Sequence, residues 1–179
     1  MVQRRPHDSV STFDPKTRWD IWALSLQGER KPVPVVRSDF DEREAMFSPD
    51  GKWIAYSSDE SGRAEVYVQP FPGPGLKIPV SIAGGAQAYW RRDGKELFYV
   101  ATDNRLMAVP IRVVAERNTI EPGTPTPLFV TNLGGIIAQG LLRRGYAASA
   151  DGQRFLMLNA GDEPNSAPIR LILNWKPKP

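Results

Sequence analysis

Three Asp-Gly pairs, each followed by an apolar run, recur along the chain and constrain its fold more than any other feature. They lie in the segments SPDGKWIAY, RRDGKELFY and SADGQRFLML, which begin at Ser48, Arg91 and Ser149. Aspartate can bond the backbone two residues ahead and glycine accepts a positive φ, so this pair favours tight turns. Gly51 and Gly94 are 43 residues apart, and a period of about 40–45 residues is typical of one four-stranded β-propeller blade. The sequence therefore predicts an all-β repeat protein.

The apolar runs around these turns divide the chain into four units of a single domain. Residues 44–82 and 86–131 each give four predicted strands. Residues 8–36 give a partial blade without an Asp-Gly hairpin, and residues 145–175 give a blade that lacks its outer strand. We therefore predict an incomplete β-propeller of about three and a half four-stranded antiparallel blades.

Two further features of the strands refine this prediction. Residues 115–127 are rich in proline and are predicted as a long outer loop of the third unit. The runs WIAY, LFYV and FLML are apolar at successive positions, as expected for strands that are covered on both faces. An immunoglobulin-like sandwich also has short strands and turns, but it would not repeat an Asp-Gly turn at the length of a blade, so the propeller is preferred.

Composition narrows the classes of function. Hydrophobic residues make up 41% and charged residues 24% of the chain, as in packed globular domains. The net charge of +3 comes from interspersed charges, so nucleic-acid binding is not predicted. Cysteine is absent, which excludes disulfides and thiolate metal sites. No apolar run is long enough for a membrane span and residues 1–10 lack the apolar core of a signal peptide, so the compartment stays open.

Few residue patterns in the chain indicate catalysis. The single histidine, His7, has no second imidazole or thiol nearby for a usual zinc site. No G-x-S-x-G motif presents a serine nucleophile. Carboxylates at residues 39–42 and 162–163 lie in predicted loops, where solvated charge is the ordinary explanation. The sequence therefore predicts no enzyme, no catalytic residue, no metal and no cofactor.

Two arginine pairs are the candidate ligand-binding residues. Arg91-Arg92 and Arg143-Arg144 each lie at or just before a predicted innermost strand, where loops open onto the axial face of a propeller. They could bind an anionic group there. The commoner arrangement is that such pairs solvate a turn and bond nearby carboxylates or carbonyls. The five tryptophans fall on or beside predicted strands, so packing explains them better than a stacking surface does.

The segment SPDGKWIAYSSDESGRAEVYV, residues 48–68, resembles the TolB-type, WD-repeat-like propeller repeat almost throughout. More narrowly, the succession of WRRDGKELFYV, RLMAVPI and RLILNW is similar to the C-terminal propellers of bacterial serine/threonine kinases. The resemblance implies a non-enzymatic binding or sensor module, the C-terminal part of a larger bacterial protein. Kinase motifs are absent from this sequence. Alternatives that share the fold are the propeller of a prolyl oligopeptidase-type serine peptidase and a TolB-like periplasmic scaffold.

The number of predicted blades also bears on partners. Propellers close with about four to eight blades, and this chain supplies about three and a half. We therefore expect the missing blades, a protein partner or a second copy of the chain to complete the ring.

Overall fold

The computed structural model describes residues 7–28, 31–73, 75–131, 133, 144–158 and 170–172. Within these ranges lie fifteen β-strands and a short 3-10 helix, Ala115–Arg117. The strands are β1 His7–Asp14, β2 Arg18–Ser25, β3 Pro32–Val36, β4 Glu42–Phe47, β5 Trp53–Ser58, β6 Glu65–Pro70, β7 Ile78–Pro79, β8 Gly85–Trp90, β9 Glu96–Ala101, β10 Arg105–Val114, β11 Thr119–Pro122, β12 Thr126–Val130, β13 Tyr146–Ala148, β14 Phe155–Met157 and β15 Arg170–Ile172.

Hydrogen bonds join these strands into four antiparallel sheets that follow one another along the chain. The first is β1-β2-β3, the second β4-β5-β6-β7 and the fourth β13-β14-β15. In the third sheet, β8-β9-β10 are consecutive, and β11 and β12 both pair with β10. Strand β1 contacts β4, and β4 contacts β8, so the first strands of neighbouring sheets lie side by side. This arrangement confirms the predicted all-β, incomplete propeller, and we call each sheet a blade and its first strand the inner strand.

The outer edge of the third blade differs from the prediction. The sequence predicts a loop over residues 115–127 and an outer strand near residues 128–131. Strand β12 lies at that outer strand and pairs with residues 105–108 of β10, whereas β11, which pairs with residues 111–114, falls within the predicted loop. The two short strands thus form one interrupted outer strand. Ile120 in β11 is 3% exposed and packs in the core between blades. Burial of this side chain explains why a proline-rich segment pairs as a strand, because tertiary packing outweighs local propensity.

The three Asp-Gly turns share one hydrogen-bond pattern. Each glycine has a φ of 71°, which a residue without a Cβ adopts at little cost. Each glycine N–H donates to the carbonyl three residues earlier, and each aspartate accepts from the N–H two residues ahead. The bonded pairs are Gly51–Ser48, Gly94–Arg91 and Gly152–Ser149. The first blade closes its β1–β2 hairpin differently, with Arg18 at a φ of 69°.

The core consists of apolar layers between blades. In β5, Trp53 and Ala55 pack toward the third blade, whereas Ile54 and Tyr56 pack toward the first. All residues of β5 are buried, as expected for a strand with a sheet on each side. A third apolar layer lies between the third and fourth blades, where Phe98 of β9 packs with Phe155 of β14. The continuous apolar runs in the sequence are therefore explained by blades stacked face to face.

Candidate functional site

Two polar residues link the inner strands of successive blades. Glu44 and Gln87 lie seven residues before Gly51 and Gly94, so they hold equivalent positions in their repeats. Both have a positive φ, 57° and 59°, and both lie where the register between inner and second strand shifts. A β-bulge of this kind redirects a side chain that would otherwise follow the strand alternation.

The redirected side chains form a chain of hydrogen bonds that we call the axial ladder. The N–H of Gln87 donates to Oε2 of Glu44 at 2.8 Å. The N–H of Gly145, the equivalent residue of the fourth blade, donates to Oε1 of Gln87 at 2.8 Å. Tyr146 donates its hydroxyl to the carbonyl of Gln87 at 2.9 Å. The ladder fixes Glu44 and Gln87 and satisfies backbone groups that would otherwise be buried without partners.

A cavity of about 450 Å³ lies along the inner strands β1 and β4, and we call it the axial pocket. It is lined by residues of three segments. These are His7 to Ser11, Glu44 to Phe47, and Arg144.

Arg144 enters the axial pocket from the segment before the fourth blade. Its guanidinium donates to Sδ of Met46 at 3.2 Å and to the carbonyl of Ala45 at 3.4 Å, and it lies 5.5 Å from the ring centre of Tyr89. Its Nε has no hydrogen-bond partner. Among the described residues, no carboxylate lies within 4 Å of this guanidinium. The contacts that hold Arg144 are therefore with neutral groups.

Glu44 is the carboxylate of the same pocket. Burial raises the pKa of Glu44, while the N–H of Gln87 and the charge of Arg144 act in the opposite direction. In the described part of the chain Glu44 takes part in no ion pair, so Glu44 and Arg144 interact at a distance without touching. The pocket thus holds two opposite charges that are both without a direct counterion.

The other predicted arginines have different surroundings. Arg91 follows the inner strand β8 and donates to both carboxylate oxygens of Asp93 and to Glu96, each at 2.8 Å. The bond from Arg91 is the main reason why the pKa of Asp93 is lowered. Arg92 is exposed and forms no hydrogen bond or ion pair with any described residue. Arg143 lies outside the described residues. In each predicted pair, one described arginine lines a cavity: Arg144 lines the axial pocket and Arg92 lines a second cavity.

Arg92 lines a second cavity, of about 710 Å³, which we call the turn groove. The groove lies between the Asp-Gly turns of the second and third blades. Its walls are residues 48–50 and 92–95, and its apolar surface comes from Trp53 and residues 111–113 of β10.

The histidine, carboxylates and tryptophans that the sequence analysis considered lie in different parts of the molecule. His7 lines the axial pocket, and its ring lies 5.0 Å from that of Phe71. Asp41 pairs with Arg18 at 2.6 Å, whereas residues 162–163 lie outside the described residues. Trp53 and Trp90 are 3% and 1% exposed and belong to the core.

Within the described ranges, no three His, Cys, Asp or Glu side chains group in a way that could hold a metal ion. No helix within these ranges has the length and apolarity that a bilayer crossing requires.

Comparison with known proteins identifies the fold. No family model matches the chain, and no curated protein is significantly similar to it. Solved structures are similar to this chain at low identity, among them a TolB candidate, a chain of a nidogen/laminin complex and a gluconolactonase. A TolB candidate from Agrobacterium tumefaciens is 12% identical with a TM-score of 0.53 and is matched over 68% of this chain and 46% of its own. A chain of a nidogen/laminin complex is 12% identical with a TM-score of 0.54, over 85% and 52%. The periplasmic gluconolactonase of Pseudomonas aeruginosa is 14% identical with a TM-score of 0.50, over 92% and 52%.

These likenesses concern the fold alone, and they support a β-propeller. The chain spans about half the length of each of these structures.

Glu44 lines the axial pocket, but the sequence did not predict it as a site residue. The available signal was its position seven residues before the turn glycine, a position that Gln87 repeats. A single glutamate in a predicted strand gives no sign of a bulge, so its role becomes visible only when the inner strands are brought together.

Proposed function

We propose that the chain is a non-enzymatic binding module and that an anionic group of its ligand binds Arg144 in the axial pocket. The observation that carries this proposal is a guanidinium in a cavity of about 450 Å³ whose contacts are a thioether, a carbonyl and an aromatic ring. A charge removed from water is costly unless it is paired and hydrogen-bonded. An anion in the pocket would supply the counter-charge and accept charge-assisted hydrogen bonds.

The described side chains favour binding over covalent catalysis. A serine nucleophile needs a base within hydrogen-bond reach. No hydrogen bond among the described residues joins His7, the single histidine of the chain, to a serine, and its Nδ1 has no partner. Similar folds include both a TolB candidate and a gluconolactonase, so the proposal depends on this chain's own residues.

The wider context follows from sequence resemblance and from length. The motifs WRRDGKELFYV and RLILNW support a C-terminal sensor propeller of a larger bacterial protein. A TolB-like scaffold is the second candidate, because the fold is similar to that of a TolB candidate. Either role suits a module that binds without reaction.

The end blades suggest the partner that completes the ring. In β14, Phe155 and Met157 face the third blade, while Leu156 is 45% exposed on the opposite face. A face of three strands covers roughly 250 Å², which is worth about 6 kcal/mol at ~25 cal/mol/Å². This is comparable to the whole stability of a domain, about 5–15 kcal/mol. Further blades or a second copy of the chain would cover such faces.

The turn groove offers a second place for an anionic partner. Arg92 has no partner among the described residues and lies beside the apolar surface of the groove. Arg91 is less available, because its three donor groups are already bonded to Asp93 and Glu96.

A titration of the chain with 4-methylpentanoate, followed by two-dimensional NMR, tests the axial site. We expect shifts in residues 7–11 and 44–47, and at least tenfold weaker binding by Arg144→Gln, because that change removes the cation. Arg105→Gln is the control, since Arg105 pairs with Asp103 at the β9–β10 turn, away from the pocket. Equal binding by wild type and Arg144→Gln would contradict the proposal.

A further inference from the structure

The axial pocket contains charges of both signs. Arg144 supplies a cation, while Glu44 supplies a carboxylate. Among the described residues, Arg144 forms no ion pair with Glu44, although both line one cavity. A cation and a carboxylate that stay apart in one pocket leave room for a molecule between them.

The mixture of charges selects against ligands with a single charge. An anion that approaches Arg144 also meets Glu44, and a cation that approaches Glu44 also meets Arg144. Like charges within a few ångströms repel, and the repulsion grows as water is excluded. A ligand that carries both charges avoids both penalties.

The geometry also fixes Glu44 before any ligand arrives. The backbone of Glu44 has a φ of 57°, and its Oε2 accepts the N–H of Gln87. Non-glycine residues with such a φ are uncommon and concentrate at functional sites. Since Oε2 is used by the ladder, Oε1 is the oxygen that remains for a ligand.

The other walls of the pocket are partly apolar. Met46 and Phe47 are among the lining residues, and so is Ser11, which lies on the face of β1 that is turned toward the second blade. The volume of about 450 Å³ lies in the range of roughly 300–1,000 Å³ that is usual for small-molecule sites.

We propose that the axial pocket binds a free α-amino acid with an apolar side chain, with its carboxylate on Arg144 and its ammonium on Glu44. This inference rests on the proposed binding function and adds the class of ligand. Arg144 donates to the ligand carboxylate, Glu44 accepts from its ammonium, and the apolar side chain packs beside Met46 and Phe47.

Three probes test the inference: leucine, 4-methylpentanoate, which is leucine without its amino group, and 3-methylbutylamine, which is leucine without its carboxylate. We expect wild type to bind leucine at least tenfold more tightly than either single-charge probe, because only leucine pairs with both side chains. Binding is measured by NMR titration of the whole chain.

Two variants separate the contributions of the two charges. Glu44→Gln keeps an oxygen that can accept the N–H of Gln87 but removes the negative charge. It should weaken leucine binding at least tenfold and strengthen 4-methylpentanoate binding, since repulsion is lost. Arg144→Gln should weaken the binding of leucine and strengthen the binding of 3-methylbutylamine.

A variant that merely unfolded would bind all three probes more weakly. Glu116→Gln is the control, because Glu116 is exposed and lies outside the pocket, and this change should leave the binding of every probe as in wild type.

The outcomes distinguish this inference from the proposed function. If 4-methylpentanoate binds as tightly as leucine and both need Arg144, the anion site stands and the amino-acid inference is wrong. If Glu44→Gln gives the NMR spectrum of a folded chain and still binds all three probes equally more weakly, the inference is also wrong. If no probe depends on Arg144, both proposals are wrong.

Discussion

At the scale of single residues, Glu42 is a carboxylate at the start of β4 that is only 2% exposed. Burial raises its pKa to about 6, and the charges of Asp20 and Glu60 add to this effect. A hydrogen bond from Ser38 and the charge of Lys77 oppose it. One oxygen of Glu42 has no hydrogen-bond partner, which is consistent with a carboxylate that gains little from its surroundings.

The raised pKa of Glu42 predicts a stability that depends on pH. The folded pKa is about 6 and the unfolded value is 4.5, so the folded state binds more protons between these values. The free energy of unfolding should therefore fall as pH rises from about 4.5 to 6. Glu42→Gln should be more stable than wild type by up to roughly 2 kcal/mol at pH 7, and equal to it near pH 4.

Urea denaturation of both proteins at the two pH values checks this prediction. Glu116→Gln, which removes an exposed carboxylate, should show no such difference. A gain in stability that is the same at both pH values would mean that packing, and not proton binding, is responsible.

At the scale of elements, the Asp-Gly turns are alike in sequence but not in their surroundings. A Cβ added to Gly94 would have nothing closer than Pro49 at 3.8 Å. A Cβ added to Gly152 would lie 2.8 Å from Cδ of Arg91 and 3.0 Å from Phe98. The Asp-Gly turn of the fourth blade therefore packs closely on the third blade, whereas the turn of the third blade has more space around its glycine.

This difference predicts unequal costs for the same substitution. Gly94→Ala should lower the free energy of unfolding by about 1–2 kcal/mol, the cost of a left-handed conformation for a residue with a Cβ. Gly152→Ala should cost a further 1–3 kcal/mol or so, because the methyl group overpacks the blade interface.

Urea denaturation of the two variants gives the comparison. Gly62→Ala is the matched control for strain alone, since Gly62 has a φ of 89° and nothing within 4 Å of an added Cβ. If Gly94→Ala and Gly152→Ala lowered the free energy of unfolding equally, the added methyl group would not overpack the interface between the third and fourth blades.

The elements also show what sequence could and could not predict. The strands of the second blade follow from the turn and from apolar runs, and β5 is found at the predicted residues 53–58. Strand β11 could not be predicted, because the prolines of residues 115–127 signal a loop and only the burial of Ile120 explains its pairing. Arg144 was singled out by its charge, but Glu44 was not. These residues are 100 positions apart in the sequence, and only the packing of inner strands brings them into one pocket.

At the scale of the whole molecule, the two end blades present apolar side chains outward. Val10 on the first blade is 40% exposed, and Leu156 and Leu158 on the fourth are 45% and 52% exposed. In the part of the chain that the structure describes, no further sheet packs on these faces. They are therefore the surfaces at which a ring would continue.

We predict that the purified chain self-associates at micromolar concentration through its end blades. Leu156→Lys combined with Leu158→Lys should reduce the associated mass, because a charge at the interface must be desolvated without a partner. Light scattering coupled to size exclusion, over a range of concentrations, measures the effect.

Leu76→Lys is the control for this experiment. Leu76 is 78% exposed and precedes β7, away from both end blades, so its replacement should not change the mass. A wild-type chain that stays folded and monomeric at every concentration would contradict ring completion by further blades and by a second copy alike.

The axial ladder has a direction that bears on biosynthesis. Each acceptor side chain, Glu44 and then Gln87, belongs to an earlier blade, and each donor N–H belongs to a later one. Synthesis proceeds from the amino terminus, and early parts can fold first. A blade that has already left the ribosome thus presents the oxygen that accepts a hydrogen bond from the next inner strand. Blades can therefore be added one at a time, and each folded blade sets the register of the next inner strand.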